Sequence, residues 1–261
     1  MSYLTRVDEY LHAAPLSGAT PEQVGPFTLF RSTTIWPYYA RPVPGTGPVE
    51  PADVERVRER CAELELPLNF EWVVETCPSM GEAAAAAGLT VVEYPLLVLE
   101  RDDFKPYAGS ARCEILPADM ELLRQARAVA GVGFSNPGTD VGDSGAAERD
   151  EALAEVSAET GQALLERAES GVSVTAAAFG DEGMLASGVH QPVGATSEVV
   201  GVATLPSARR QGLGAAVTSC LVEHALANGV DLILLSAQND AVAAVYERVG
   251  FHRIGHAGGA E

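Results

Sequence analysis

Apolar and polar residues alternate with a period of two over three consecutive segments in the second half of the chain. This alternation predicts strands over 172–179, 184–191 and 197–205. The connecting segments are short and rich in turn-forming residues, with Gly-Asp-Glu-Gly in the first and Pro-Val-Gly in the second. Two short turns imply an antiparallel meander.

Helical spacing flanks the meander on both sides. Before it, apolar residues recur at helical intervals near 117–130 and 149–170. Between these two helices, 131–147 is dense in glycine, proline and other turn formers, and we expect a mobile loop there. After the meander, the pattern predicts a helix, a buried strand and a second helix over 212–227, 232–235 and 241–249.

The first half of the chain repeats the order helix, strand, helix, strand. The segment 41–52 is too rich in proline and glycine for regular structure, so we expect a loop there. The α/β pattern favours two domains, a smaller one over 1–111 and a larger one over 112–261. The elements predicted for the smaller domain are helices over 52–64 and 79–87 and strands over 69–75 and 90–99, the last interrupted at Pro95.

Composition limits the classes of function. With 261 residues, 47% of them hydrophobic, the chain can bury two cores, and no apolar run approaches the length of a membrane span. A net charge of −19 argues against nucleic acid and anionic membranes as partners. A single lysine, Lys105, beside many Ala, Arg and Gly residues suggests a GC-rich, bacterial genome. We therefore expect a cytoplasmic protein.

The cysteines give no sign of a metal or redox site. They are far apart and include no C-x-x-C pair, so we predict reduced, mostly buried thiols and no bound metal. In the smaller domain, Trp72 is best interpreted as a core indole. The four cysteines are Cys61, Cys77, Cys113 and Cys220.

Residues 209–215, here called the anion-binding turn, are the chemically most informative segment. A strand ends at Leu205, and a turn with Arg209, Arg210 and Gly212 then opens a helix. Backbone N–H groups converge at such a helix start, which predicts a site for a pyrophosphate. The spacing does not fit a P-loop, and a dinucleotide-binding glycine motif would follow an early parallel strand rather than a meander.

Two segments resemble the GNAT superfamily of N-acetyltransferases. Residues 202–214, Val-Ala-Thr-Leu-Pro-Ser-Ala-Arg-Arg-Gln-Gly-Leu-Gly, are similar to its motif A. Asn239 and the following residues up to Phe251 are similar to its N-x-x-A-x-x-L-Y-x-x-x-G-F segment, with departures at Val242 and Val245. The resemblance covers about 112–259 and implies a GNAT fold, a mixed, mostly antiparallel sheet flanked by helices.

The resemblance also implies acetyl-CoA as the cosubstrate. Backbone groups of the strand before the anion-binding turn would hold the pantetheine arm and the acetyl carbonyl. The turn itself would hold the pyrophosphate. The residues assigned to the cofactor in this way are Val202, Ala203, Thr204, Arg209, Arg210, Gln211, Gly212, Leu213, Gly214, Ala215 and Asn239.

Acetyl transfer to an amine needs a general base and a proton donor for the leaving thiolate. Tyr246 matches the family position of the donor, and Glu198 matches a position used by some members as the base. Strand alternation predicts that Glu198 shares a face with Val200 and Val202. His190 is a rival base. An acidic group near the first two helices could attract a cationic amine or be a solvated face: Asp140, Asp143, Glu148, Asp150 and Glu151.

The leading hypothesis is therefore an N-acetyltransferase that acts by direct attack of a primary amine, on a small molecule or a peptide, in a ternary complex. The alternative is a CoA-binding module without turnover. The smaller domain resembles a degenerate half of the same fold. Its loop Pro42-Val43-Pro44-Gly45-Thr46-Gly47-Pro48 lacks the arginine placement, so we do not expect it to bind CoA. A monomer or homodimer is expected.

Overall fold

The computed structural model describes residues 2–107 and 109–261 and divides the chain into two compact units. The first unit ends at Leu97 and also includes Ser236–Gln238 and Arg253–Glu261. The second consists of Val98–Leu235 and Asn239–His252. Each unit is therefore built from more than one segment of the chain. The sequence patterns suggest a single division, between residues 111 and 112. In the described part, no helix is long and apolar enough to cross a membrane.

Eight α-helices and eleven strands are found in the described residues. In chain order they are α1 (Tyr3–Ala13), β1 (Ala19–Val24), β2 (Phe27–Ser32), β3 (Ala40–Pro42), α2 (Pro51–Glu63), β4 (Phe70–Val73), α3 (Ser79–Ala86), β5 (Val91–Glu100), β6 (Arg112–Ile115), α4 (Met120–Ser135), α5 (Ala146–Glu155), α6 (Ala158–Glu169), β7 (Val174–Gly180), β8 (Gly183–Val193), β9 (Thr196–Thr204), α7 (Leu213–Ala227), β10 (Leu232–Ser236), α8 (Asp240–Glu247) and β11 (His252–Ala260).

In the first unit the strand order is β1-β2-β3-β4-β11-β5. The pair β3–β4 is parallel, while β1–β2, β2–β3 and β4–β11 are antiparallel. Helices α2 and α3 contribute apolar side chains to the core beside the strands, which is why their buried positions recur at helical spacing. The largest core side chains here are Phe27, Phe70, Trp72 and Met80.

The predicted elements α2, β4 and α3 are confirmed in the first unit. Two details were wrong. The strand at 90–99 is not interrupted, because Pro95 lacks only its N–H and its carbonyl still accepts from the Ala237 N–H at 2.9 Å. The loop predicted over 41–52 begins later, since Arg41 and Pro42 belong to β3.

In the second unit the strand order is β10-β9-β8-β7-β6, with β9–β10 parallel and the other pairs antiparallel. The predicted meander is confirmed as β7, β8 and β9. The single helix predicted over 149–170 is two helices, because Ser157 caps α6 by accepting from the Thr160 N–H at 3.0 Å. Cys113 of β6 and Cys220 of α7 interact through their thiols, and all four cysteines are free.

Candidate active site

Strand β9 contains a β-bulge at Gly201. Val189 of β8 pairs with Val200, but Ser187, two residues earlier in β8, pairs with Ala203, three residues later in β9. Gly201 has a φ of 63°, a left-handed conformation that glycine adopts without a steric penalty. The extra residue reverses the order in which the following side chains alternate between the two faces of the sheet.

This reversal changes the neighbours of Val202. A Cβ built on Gly188 would lie 3.0 Å from Val202 Cγ2 and 2.9 Å from Val217 Cγ1 of α7, so Val202 faces α7. Ser197 also faces α7, because its hydroxyl contacts His190, which in turn contacts His224 of α7. Glu198, the next residue of the strand, therefore faces away from α7. The prediction that Glu198 shares a face with Val202 was wrong, because the bulge adds one residue between them. Its shared face with Val200 stands.

Strands β9 and β10 separate beyond Glu198. Their parallel register runs from Thr196 to Glu198, opposite Leu232 to Leu234, and stops there. Strand β9 continues to Thr204, paired with β8 on its other side. The backbone edge of β9 that leads to the anion-binding turn therefore has no strand partner in the described part of the chain. Such an edge offers N–H and C=O groups to a ligand.

Three elements converge where this edge ends. A Cβ built on Gly214, in the first turn of α7, would lie 3.8 Å from Thr204 Oγ1 of β9 and 3.9 Å from Val245 Cγ1 of α8. Tyr246 is the next residue of α8. The end of β9, the start of α7 and the residues around Tyr246 thus occupy one place in the second unit.

The N-terminus of α7 carries no side-chain cap. Arg210 and Gly212 have φ values of 65° and 80°, and this pair of left-handed residues turns the chain sharply into the helix. Gly212 is the N-cap residue and has no side chain to bond the first N–H groups. Those N–H groups lack acceptors within the helix, so they and the positive end of the helix dipole favour an anion.

The two arginines of the anion-binding turn differ in burial and in their contacts. Arg210 is exposed. Arg209 is half-buried, and burial lowers the pKa of its guanidinium below the ordinary value. Arg209 joins the turn to the end of α4 and the loop that follows by donating to the carbonyl oxygens of Asn136 (2.6 Å), Gly133 (3.1 Å) and Asp140 (3.3 Å). It also donates to the carbonyl of Thr204, at the end of β9, at 3.4 Å.

We expect Arg209→Ala and Arg210→Ala to separate stability from affinity. Removing Arg209 leaves several carbonyls without their donor and should lower the free energy of unfolding by about 2 kcal/mol. Arg210→Ala should change it by less than about 0.5 kcal/mol, yet weaken binding of a phosphate-bearing ligand about tenfold. Denaturant unfolding and calorimetric titration of acetyl-CoA measure the two quantities. Unchanged stability of Arg209→Ala would contradict the role given to its hydrogen bonds.

Asn239 is the N-cap residue of α8. Its side-chain Oδ1 accepts from the Val242 N–H at 3.0 Å, which satisfies one of the free donors of the helix. The residue is exposed. Because the cap uses the oxygen, the amide Nδ2 is the group of Asn239 that can donate to a ligand.

Tyr246 is a buried tyrosine, with 7% of its surface exposed. Its ring meets Phe251 edge-on, with ring centroids 6.1 Å apart. The hydroxyl forms no hydrogen bond with the described residues. Desolvation by burial raises the pKa of Tyr246 to about 12, so the hydroxyl stays protonated at ordinary pH. The group can therefore donate a proton.

The two candidate bases lie on opposite faces of the sheet. His190 points towards α7 and is 1% exposed. Its Nδ1 is 2.9 Å from Ser197 Oγ and its Nε2 is 3.0 Å from His224 Nδ1, so both ring nitrogens are engaged. Burial, with the nearby His224, lowers the pKa of His190 to about 4. Glu198 is half-buried on the other face. The arrangement favours Glu198.

The acidic group near α5 is partly structural. Glu148 accepts from the Gly145 N–H at 2.6 Å, and backbone hydrogen bonds lower the pKa of this carboxyl group. Asp150 forms an ion pair with Arg149, with Nη2 and Oδ1 2.8 Å apart. The remaining acidic side chains, Asp140, Asp143 and Glu151, are exposed.

The loop that carries Asp140 and Asp143 is tied to the residues before the anion-binding turn. Gly142 N–H donates to the Pro206 carbonyl at 3.1 Å, and Ser207 N–H donates to the Ser144 carbonyl at 3.0 Å. These bonds hold the loop beside the site.

One residue near the site was missed from the sequence. Tyr107 lies before β6, outside both motifs, yet its hydroxyl contacts Gly212. A single tyrosine in an irregular segment carries no local pattern, so only the tertiary structure shows this contact.

Comparisons with known proteins agree with this geometry. The family model described as "Acetyltransferase (GNAT) family" matches residues 148–251. No curated protein matches the sequence. Among solved structures, a GCN5-related N-acetyltransferase from Kribbella flavida is similar, with a TM-score of 0.75, 22% identity, and 100% of this chain and 95% of that chain covered.

Two further structures share the fold at lower identity. A GCN5-related N-acetyltransferase-like protein from Streptococcus suis 89/1591 gives a TM-score of 0.57 at 10% identity, covering 99% of this chain and 98% of that one. A tandem GNAT protein from the clavulanic acid biosynthesis pathway gives 0.55 at 14% identity, covering 90% and 77%. The meander, the uncapped helix start and the family match together identify residues 148–251 as belonging to a GNAT-family acetyltransferase domain, and the chain has the GNAT fold.

Proposed function

We propose that residues 112–261 form an acetyl-CoA-dependent N-acetyltransferase that acetylates a primary amine. The observation that carries the proposal is the uncapped N-terminus of α7 at the end of the open edge of β9. A helix start without a capping side chain fits a pyrophosphate, and an unpaired strand edge fits the amide groups of a pantetheine arm. Acetyl-CoA carries both groups on one molecule.

The residues that would hold acetyl-CoA follow from this arrangement. Backbone N–H groups of 211–215 bind the pyrophosphate, and the exposed Arg210 adds positive charge. Backbone groups of 202–204 bind the pantetheine arm. Asn239 donates from Nδ2. Arg209 acts through the shape of the turn, because its guanidinium is occupied by carbonyl groups.

Bound acetyl-CoA supplies an acetyl group activated as a thioester. Glu198 takes a proton from the acceptor ammonium, directly or through water, so that a neutral amine attacks in a ternary complex. Tyr246 holds a proton at its hydroxyl oxygen for the departing thiolate. The net charge of −19 favours approach of a cationic amine, whether a small molecule or a peptide.

We also propose that residues 1–111 contain a degenerate GNAT-like domain, the part up to Leu97, which has no CoA site of its own. The helix that corresponds in order to α7 is α2, and its start differs chemically. Glu50 is the N-cap residue of α2, and its N–H donates to Asp53 Oδ2 at 2.8 Å. Two carboxyl groups at a helix start repel a phosphate and already use the local donors.

Calorimetric titration of acetyl-CoA into the purified protein tests the main proposal. We expect saturable binding, with a dissociation constant on the order of micromolar. Thiol release in the presence of a panel of primary amines then tests turnover. Binding without turnover for any amine would favour a CoA-binding module instead. If the folded protein does not bind acetyl-CoA, both the acetyltransferase and the CoA-binding module are contradicted.

A further inference from the structure

The segment before β6 lies along the outside of α7. Lys105 N–H donates to the carbonyl of Val249, just after α8, at 2.9 Å. Tyr107 N–H donates to Ser219 Oγ of α7 at 3.0 Å. Ser219 is 6% exposed and lies two turns after the start of α7. The backbone of Tyr107 is therefore fixed against α7, and its side chain extends towards the N-terminus of that helix.

The phenol of Tyr107 ends at the anion-binding turn. A Cβ built on Gly212 would overlap the Tyr107 hydroxyl and would lie 2.7 Å from the ring carbon Cζ. Gly212 is the N-cap residue of α7, so the hydroxyl lies beside the first free N–H groups of the helix. The space that a side chain at position 212 would take is filled by a polar group from another part of the chain.

The Tyr107 hydroxyl is placed as a ligand donor. It forms no hydrogen bond with residues 2–107 and 109–261, although its ring is half-buried. Backbone donors without helix partners lie next to it, and a phosphate oxygen can accept from several donors at once. A phenol O–H is neutral and costs little to bring close to these groups, unlike an acidic side chain.

We propose that the Tyr107 hydroxyl donates a hydrogen bond to a phosphate oxygen of the cofactor and so positions the nucleotide end of acetyl-CoA. The inference rests on the proposed function, since it concerns the same bound molecule. It adds a positioning residue that lies outside the matched family segment, 148–251. The Tyr107 hydroxyl should contribute to binding only when the acetyl donor carries a phosphate, because the contact is made at the anion-binding turn.

Tyr107→Phe tests this role, because it removes the hydroxyl and keeps the ring against α7. We expect acetyl-CoA to bind about tenfold more weakly, with a raised KM and an unchanged kcat, as for a lost hydrogen bond to a charged group. With S-acetyl-pantetheine, which has no phosphate, wild type and variant should give the same kcat/KM. Tyr94→Phe, in the first unit, controls for the substitution itself and should match wild type.

Three results would overturn the inference. The first is an unchanged affinity of Tyr107→Phe for acetyl-CoA. The second is a higher affinity, which would mean that the hydroxyl obstructs the site. The third is an equal loss of kcat/KM with S-acetyl-pantetheine, which would indicate that the residue contributes by packing alone. Wild-type protein that fails to bind acetyl-CoA would instead contradict the proposed function, and this is seen before any variant is compared. Matching thermal unfolding of the three proteins without ligand verifies that the fold is retained.

Discussion

Gly212→Asp should weaken acetyl-CoA binding more than a hundredfold while the protein stays folded. The new carboxylate would stand at the uncapped start of α7, where the pyrophosphate is proposed to bind, and would repel it. The new Cβ would overlap the Tyr107 hydroxyl, so the end of that side chain must move aside. The backbone should keep its conformation, because Asp is one of the residues that adopt left-handed φ values and a favoured N-cap residue. Calorimetry measures the affinity, and circular dichroism checks the fold.

Gly229→Asp is the matched control for this experiment. Gly229 also has a left-handed φ, 87°, and it follows the other end of the same helix, with open space around its Cβ position. The substitution introduces the same charge and a similar left-handed backbone conformation away from the anion-binding turn, and it controls for these two effects but not for the contact with Tyr107. It should retain wild-type affinity, at a stability cost of up to about 1 kcal/mol from the helix dipole. If Gly212→Asp binds acetyl-CoA as tightly as Gly229→Asp does, the phosphate binds elsewhere.

Tyr246→Phe should lower kcat about a hundredfold and leave the affinity for acetyl-CoA nearly unchanged. The change removes only the hydroxyl oxygen, and the ring contact with Phe251 is preserved. General acids contribute about 10²-fold or more when they protonate a leaving group in the transition state. Steady-state kinetics by thiol release gives kcat, and calorimetry gives the affinity of the variant.

The pH dependence of the rate provides an independent check on Tyr246. Burial raises the pKa of its hydroxyl to about 12, so the proton is present throughout the working range of the enzyme. The wild-type kcat should therefore show no loss assignable to tyrosine ionisation between roughly pH 6 and 9. Full activity of the Tyr246→Phe variant would show that Tyr246 only packs in the core. Another group would then have to be the proton donor.

Local sequence patterns were sufficient for the parts of the site that are continuous along the chain. The meander, the turn at 209–215 and the helix that carries Tyr246 each consist of neighbouring residues with a characteristic spacing. The bulge at Gly201 was not predictable, because an isolated glycine within a strand is compatible with a bulge or with a close approach of another group. That single residue reversed the expected facing of Val202.

Tertiary pairing accounts for the other differences. His190 and His224 are 34 residues apart, and nothing in the sequence indicates that each satisfies the other. The carbonyl groups that occupy Arg209 come mainly from the end of α4 and its loop, about 70 residues earlier. In the first unit, β1 is polar and contains Pro21, so its alternation does not stand out from a loop.

The return of β11 to the first unit limits how this protein can be dissected. Residues 257–260 pair with β4, from Ala257 opposite Val73 to Ala260 opposite Phe70. A truncated protein beginning at residue 112 would keep β11 but lose β4, and would expose a glycine-containing strand whose backbone groups have no partner. Unpaired strand edges of this kind promote aggregation. Insolubility of such a fragment would reflect the missing strand and would say nothing about catalysis. Roles in this chain are therefore better assigned with point variants of the intact 261-residue chain.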